Sequence, residues 1–228
     1  VDSFCESSAD GDAVLVTEAI NGNPLGKMPY FTNARLLMGM WVPIQGKLQR
    51  RVIKDVVVAE RVMIELLEAV EKLHQAGVAH LDIKAENIMT KTGTDGKDHP
   101  VLIDFGFACG MDETDTCPKL KAVGVPMFAK LNYRAIDVMM LGDTFLSLVT
   151  GTLVSNSFYR WPITGQWLHA HPTTTQRSAK HVGARWDRVY YVIRCMMGIQ
   201  ATCSVGDALA YMKRPINTPV PALNSGQN

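Results

Sequence analysis

Hydrophobic residues recur at helical spacing along one long segment of the chain, from about Ile53 to Gln75. The apolar positions fall three, four or seven residues apart, and the glutamates lie largely off this stripe, which predicts an amphipathic helix. Gly77 follows and provides a C-terminal stop. Residues 135–151 are apolar on almost every face, so this segment is predicted to be a buried helix closed by Gly151. Two further helices are predicted over WDRVYYVIRCMMGI and VGDALAYMKR.

Short β-branched runs separated by turn residues predict a few strands. Residues 13–20 (AVLVTEAI) are predicted to form a strand that ends at a turn, and residues 23–50 are predicted to be irregular. Residues 91–100 (KTGTDGKDHP) are rich in Gly, Asp and Thr between two apolar runs, as in a hairpin loop. The tail, residues 215–228, is predicted to be disordered. The fold class is therefore mostly α with small β elements.

Composition excludes some classes of partner. The chain has 228 residues, of which 47% are hydrophobic and 20% charged, and its formal net charge is +1. A neutral chain of this kind does not predict a nucleic-acid or membrane surface, and no apolar run is long enough to span a bilayer. No signal peptide is visible in the first residues.

The five cysteines are odd in number and lack CxxC spacing. This pattern predicts reduced thiols rather than a disulfide framework or a zinc site, and it favours a reducing compartment such as the cytoplasm. An exported or secreted fragment would have a similar composition, so that alternative stays open. His169 and His171 have metal-like spacing, but no third ligand is evident, and a solvated loop is the favoured interpretation.

Two polar motifs follow the long predicted helix. HLDIKAEN, residues 80–87, contains Asp82, Lys84 and Asn87, and Asp104 follows an apolar strand in VLIDFGFA. Phosphoryl transfer requires a carboxylate for the proton of the attacking hydroxyl and a cation near the transferring oxygens. It also requires oxygen ligands for Mg²⁺, which Asp and Asn side chains supply. The two motifs together contain every one of these groups.

HLDIKAEN resembles the catalytic loop H-R-D-L-x-x-x-N of eukaryotic protein kinases, except at Leu81 and in the conservative change at Ile83. DFG follows HLDIKAEN, which is the order found in that family. The resemblance therefore implies that residues 1–214 form a kinase-like domain made of a hinge strand and the C-terminal lobe. The implied function is transfer of a phosphoryl group from ATP to serine or threonine of a protein substrate, with Mg²⁺ as the metal cofactor. The resemblance implies catalytic roles for Asp82, Lys84 and Asn87, and metal binding by Asn87 and Asp104.

The resemblance extends on both sides of these motifs. LVTEAING is similar to the hinge strand between the two kinase lobes, with Thr17 as gatekeeper. The backbone of Glu18 and Ile20 would then face adenine, and Met89 would lie beneath it. DVMMLG is similar to the start of the central kinase helix, which implies that Asp137 holds the backbone of the catalytic loop.

The pattern departs from the family at several places. No Gly-rich loop and no V-A-I-K lysine precede the hinge, so we expect the N-terminal lobe to be largely absent or supplied by a partner. The A-P-E glutamate is missing at residues 130–132, and its usual Arg partner is replaced by Thr202 or Cys203. Leu81 replaces the Arg that binds a phosphorylated activation loop, which argues against that mode of switching.

The sequence leaves alternatives open for the fold, the function and the kinase subfamily. Asp82 and Asp104 could be loop or cap residues of an unrelated α/β domain. The chain could be a pseudokinase or scaffolding module that binds a protein partner. Within the kinases, HLD, MLG and CPKLKAVGV are similar to the apicomplexan FIKK kinases, although the rhoptry kinases also diverge at these sites.

Overall fold

The computed structural model describes residues 53–111, 132–150, 180–197 and 203–219, residue 20, and the backbone of four short strands near the N-terminus. The elements, in chain order, are β1 (Phe4–Ser7), β2 (Ala13–Val16), β3 (Ala34–Leu37), β4 (Met40–Pro43), α1 (Val56–Gln75), β5 (Val78–Ala79), a 3₁₀ turn (Ala85–Asn87), β6 (Ile88–Thr92), β7 (Asp98–Leu102), β8 (Cys109–Gly110), α2 (Tyr133–Thr150), α3 (Ala184–Met196) and α4 (Val205–Met212).

The strands form four antiparallel pairs: β1 with β2, β3 with β4, β5 with β8, and β6 with β7. Strand β2 lies within the predicted strand 13–20, and the hairpin predicted around residues 91–100 is confirmed by β6 and β7. The irregular structure predicted for residues 23–50 is wrong for the β3–β4 hairpin. The register of this hairpin pairs Leu37 with Met40, so only two residues separate its strands along the chain.

Helix α1 begins where a side chain can cap it. Asp55 accepts hydrogen bonds from the backbone N–H groups of Val57 at 2.7 Å and Val58 at 3.4 Å, which satisfies two of the free donors at a helix start. At the other end Gly77 has φ of 72°, a left-handed conformation that glycine adopts without strain. The predicted helix and its C-terminal stop are thus confirmed, with a start three residues later than expected.

Helix α2 is buried over most of its length, as predicted. From Ile136 to Val149 nearly every side chain is buried, and the helix packs against α3. Gly142 allows this close approach, because a Cβ added there would lie 3.0 Å from Cβ of Met196. Helix α4 is started by a capping box in which Ser204 and Asp207 each bind the other's backbone N–H.

The last segments agree in part with the sequence predictions. Helix α4 falls inside its predicted segment, whereas α3 overlaps the other segment but begins at Ala184, two residues before the predicted start at Trp186. Of the predicted disordered tail, residues 215–219 form a turn in which Thr218 N–H donates to Pro215 O at 3.0 Å. The remainder of the tail lies outside the described residues. Of the helices that the structure describes, none is both long and apolar enough to cross a membrane.

The prediction of reduced thiols is wrong for Cys195 and Cys203. These residues form a disulfide with a Cα–Cα distance of 5.6 Å, and Cys109 is also disulfide-bonded. Helix α3 ends at Met196 and α4 begins at Val205, so the fold returns the chain to within disulfide range after eight residues. Spacing rules for metal sites and redox motifs do not detect a pair that is brought together by two packed helices.

We predict that the Cys195–Cys203 bond stabilises the domain measurably. Closing a loop of this length restricts the unfolded chain by about 2.5 kcal/mol at 25 °C. The double variant Cys195→Ala/Cys203→Ala should therefore unfold at lower urea concentration than the oxidised wild type. Adding a phosphine reductant to the double variant isolates the contribution of the Cys109 bond. An unchanged urea midpoint in the double variant would contradict the prediction.

Candidate active site

The two polar motifs meet at one end of the β6–β7 hairpin. The loop after β5 contains the first motif and leads through the 3₁₀ turn into β6, and the second motif follows β7. The Ile103 N–H donates to Asn87 O at 2.9 Å, which ties the start of β6 to the end of β7. Residues separated by about twenty positions in the chain are therefore adjacent in space.

Asp82, Lys84 and Asn87 form a compact hydrogen-bonded cluster. Lys84 Nζ lies 2.6 Å from Asp82 Oδ2, and Asn87 Nδ2 lies 2.8 Å from the same oxygen. The Asp82 residue is only 7% exposed, whereas the Lys84 side chain is 43% exposed. The carboxylate is thus held in place by its neighbours, while the ammonium group remains accessible to a ligand.

The amide of Asn87 is oriented by the same carboxylate. Its Nδ2 also donates to the backbone oxygen of Asp82 at 2.9 Å, so both amide protons are directed toward Asp82. The acceptor Oδ1 is then left as the group that Asn87 can present to a cation. A metal-binding role of Asn87 would therefore use Oδ1.

Asp104 occupies the turn directly after β7. Its φ is 62°, in the left-handed region that is uncommon for residues other than glycine, and its Oδ1 accepts from Gly106 N–H at 3.1 Å. The residue is exposed, so its carboxylate faces solvent. Leu81, with φ of 62°, is the other described non-glycine residue in this region, and both residues lie in the motif loops. Such strained positions cluster at functional sites.

His80 joins the two motif loops, a role that sequence reasoning missed. Asp82 N–H donates to its Nδ1 at 3.3 Å, its Nε2 lies 3.1 Å from Ile103 O, and its ring packs on Phe105 with centroids 4.8 Å apart. The first contact requires an unprotonated Nδ1, and the second requires a proton on Nε2, which together define a neutral imidazole. Burial lowers the pKa of His80, against the opposing influence of Asp137, Asp82 and Asp104, and so favours this neutral form.

The buried carboxylate of Asp137 on α2 accepts hydrogen bonds from the backbone of the first motif. Its Oδ2 accepts from His80 N–H at 2.8 Å and its Oδ1 from Leu81 N–H at 2.7 Å. His74 Nε2, near the end of α1, lies 3.0 Å from Oδ2. The role expected of Asp137 is thus confirmed by these contacts, and the His74 contact, which the sequence reasoning did not anticipate, adds α1 to the same anchor.

Leu81 is part of the core rather than the surface. Its side chain is 1% exposed, and its left-handed backbone directs its N–H toward Asp137. An apolar side chain in this place cannot pair with a phosphate, which agrees with the expectation drawn from the sequence.

The structure describes some of the remaining predicted site residues. Met89 is half-buried on β6 opposite Val101, and Ile20 is half-buried. Glu18 and Thr17 lie outside the described residues, as do the segment 112–131, His169, His171 and Thr202. Cys203, one of the two residues expected to replace the family's Arg, forms a disulfide with Cys195.

The donor set fits Mg²⁺ better than a transition metal. Among the described residues there is no group of three or more His, Cys, Asp and Glu side chains that could hold a metal ion. Mg²⁺ does not require such a group, because it usually binds one or two carboxylates together with water and substrate phosphates. The carboxylate of Asp104 and Oδ1 of Asn87 are oxygen ligands of the kind that it prefers.

Comparison with solved structures defines the fold as protein-kinase-like. A chain titled "Crystal structure of Rad53 kinase domain and SCD2" matches with a TM-score of 0.51 at 15% identity, covering 95% of this chain and 72% of that one. Residues 12–155 match the family described as "Protein kinase domain", which is more than half of the chain. The chain belongs to the protein kinase family.

Curated relatives agree with this assignment. Smooth-muscle myosin light chain kinase of Gallus gallus is 35% identical over 132 residues, covering 52% of this chain and 7% of the relative. Serine/threonine-protein kinase pkn3 of Myxococcus xanthus is 32% identical over 105 residues, covering 41% and 19% respectively. Serine/threonine-protein kinase H1 of Homo sapiens is 30% identical over 134 residues, covering 54% and 31%. The chain therefore spans less than a third of the length of these relatives.

Proposed function

We propose that this chain provides the catalytic groups of a serine/threonine protein kinase that transfers the γ-phosphoryl group of MgATP to a protein substrate. The observation that carries the proposal is the cluster of Asp82, Lys84 and Asn87 around one carboxylate oxygen. A chance occurrence of the motif would not be expected to place a nearly buried carboxylate between a cation and an oriented amide.

The two oxygens of Asp82 have different tasks in this proposal. Oδ2 accepts from Lys84 and Asn87, whereas Oδ1 receives no hydrogen bond from the described residues. Oδ1 is therefore the oxygen that orients the substrate hydroxyl and accepts its proton. Lys84, more than two-fifths exposed, can extend from Asp82 toward the transferring phosphoryl oxygens.

Metal and nucleotide binding follow from the remaining residues. Asp104 and Asn87 would hold Mg²⁺, which when bound neutralises charge on the phosphate oxygens. The backbone of Glu18 and Ile20 and the side chain of Met89 are proposed to contact adenine, on the resemblance to the kinase hinge. An N-terminal lobe, in this polypeptide or supplied by a partner, would cover the phosphates.

Replacing Asp104 tests the proposal. Asp104→Asn should weaken the Mg²⁺-dependent part of ATP binding by at least about tenfold, because the substitution removes a charged ligand. Isothermal titration calorimetry of the 228-residue chain, with and without Mg²⁺, measures this difference. Asp98→Asn is the matched control, since Asp98 is exposed and contacts Thr92 on the hairpin instead. Equal Mg²⁺ dependence in the wild type and Asp104→Asn would contradict the assignment.

A protein-binding pseudokinase or scaffolding module is the second candidate. The observation that favours it is the ring of Phe105, an apolar side chain 38% exposed beside the site, which an N-terminal lobe or scaffold partner would cover. This candidate predicts partner binding that is independent of Mg²⁺ and nucleotide, and it does not require the Mg²⁺-dependent ATP binding that the calorimetry measures.

We also propose a cellular location and a kinase subfamily for this chain. The disulfides at Cys195, Cys203 and Cys109 support an exported or secreted protein over a reducing compartment. The residues HLD, MLG and CPKLKAVGV support a divergent kinase similar to the apicomplexan FIKK or rhoptry kinases.

A further inference from the structure

The outer end of the β6–β7 hairpin contains a histidine between two carboxylates. His99 Nδ1 lies 3.0 Å from Oε2 of Glu65 on α1, and His99 Nε2 lies 2.9 Å from Oδ1 of Asp95 in the hairpin turn. The ring therefore connects the hairpin to the helix on which it packs. Neither the motifs nor the proposed chemistry uses this cluster.

The two contacts together require a protonated ring. Ionised carboxylates only accept hydrogen bonds, so both ring nitrogens must donate. A neutral imidazole carries one N–H and can satisfy only one of the two carboxylates. The complete bridge from α1 to the hairpin turn therefore exists only when His99 is an imidazolium.

The His99 ring packs directly against Gly93 of the hairpin. A Cβ added at Gly93 would lie 2.7 Å from Cδ2 and Nε2 of His99, a distance that real Cβ atoms do not show. Glycine at this position is what allows the ring to lie against the strand end and reach Asp95.

Other charged groups lie around the His99 ring, but they do not change charge near neutral pH. Lys97 Nζ lies 3.5 Å from Asp95, and Arg61 Nη1 lies 3.3 Å from Glu65 and 2.7 Å from Asp98 O. The Asp98 carboxylate accepts from Thr92. Arg61 is always charged, so it provides a tether between α1 and the hairpin that does not depend on pH. His99 is the member of this cluster whose charge changes near neutral pH.

The hairpin transmits this contact toward the site. Strand β6 begins directly after Asn87, and β7 ends two residues before Asp104. His99 pairs with Lys91 across the hairpin, and this pair is three cross-strand pairs away from Ile88–Leu102 at the inner end. The hairpin therefore connects the His99 contact on α1 to the two segments that contain the proposed metal ligands.

We propose that His99 is a proton-operated latch that seats the β6–β7 hairpin on α1 and so adjusts the position of Asn87 and Asp104. The consequence for metal and nucleotide binding rests on the proposed function, whereas the latch does not.

The direction of the pH dependence follows from the two partners. Hydrogen bonds to Asp95 and Glu65 raise the pKa of His99, and hydrogen bonds to His99 and the backbone lower the pKa of Asp95 to about 2. A raised histidine pKa gives stabilisation that is complete below the ordinary value of 6.5 and is lost as pH rises through the raised pKa. The Asp95 contribution is present above its ordinary pKa of 3.8 and is lost as pH falls toward about 2. The latch is closed between these limits and opens as pH rises through the raised pKa of His99.

NMR of the full chain tests the latch without nucleotide. The His99 Cε1–H resonance should titrate above pH 6.5, and the side-chain amide of Asn87 should shift with the same midpoint. Hydrogen-exchange protection of β6 and β7, corrected for intrinsic rates, should fall about two- to fivefold as pH rises through that midpoint, as for an exposed ion pair. His99→Gln should abolish the pH dependence of both measurements.

Two variants keep the test specific. Glu65→Gln should lower the His99 pKa while leaving the ring in its seat, and Gly93→Ala should displace the ring and weaken the same response. A His99 pKa at or below 6.5, or an Asn87 amide that does not follow it, would overturn the proposal. Neither outcome bears on whether the chain transfers phosphate, because no nucleotide is present.

Discussion

Replacing Asp82 with Asn is expected to reduce the rate of phosphoryl transfer by roughly 10²- to 10⁴-fold, the contribution of a positioned general base. The substitution keeps the shape of the side chain but removes its charge and its ability to accept a proton. It also removes the anion that faces Lys84 Nζ at 2.6 Å. Substrate binding should change far less than the rate, because the loss falls on the transition state.

Radiolabelled ATP and a generic basic protein substrate provide the assay for Asp82→Asn. Asp98→Asn is the control for removal of a carboxylate away from the site, at the outer end of the hairpin, and it should retain nearly full activity. Circular dichroism should show that both variants fold. A rate for Asp82→Asn within about tenfold of the wild type would contradict the assigned role.

Replacing Asp137 with Ala is expected to lower the free energy of unfolding by about 3–5 kcal/mol, the cost of breaking a buried charged network. The carboxylate is fully buried, and its loss strands the N–H groups of His80 and Leu81 together with Nε2 of His74. Because the first motif depends on these bonds, activity should be lost even where the variant remains folded.

Asp55 offers a matched comparison for Asp137. It also accepts two backbone N–H bonds, but at the exposed start of α1, so Asp55→Ala should cost only about 1 kcal/mol. Urea unfolding of both variants measures the difference. Similar midpoints for Asp137→Ala and Asp55→Ala would show that burial of Asp137 does not matter.

Periodicity and local signals predicted the elements that depend on local sequence. The apolar stripe of α1, the stop at Gly77 and the polar turn between β6 and β7 are each encoded within a few residues. The position of Asp137 beneath the loop was predicted through family resemblance, because nothing local connects it to His80, 57 residues away.

Other features depend on contacts that the chain makes only after folding. The Cys195–Cys203 bond requires the ends of α3 and α4 to meet, which no spacing rule expresses. The role of His80 depends on a carbonyl at Ile103, and that of His99 on Glu65, 34 residues away on another element. Polar residues of these types occur in most loops, so their partners could not be read from the sequence.

The disulfide between α3 and α4 also changes what a break in the backbone would do. Cys195 and Cys203 are joined through their side chains, so the polypeptide has two covalent routes between them. A protease that cleaves any single peptide bond between these residues would leave one molecule of nearly unchanged mass on a non-reducing gel. The fragment that ends near α3 and the short fragment that contains α4 would separate only after reduction. Helix α4, which packs against α1, would thus remain tethered to the domain after such a cleavage.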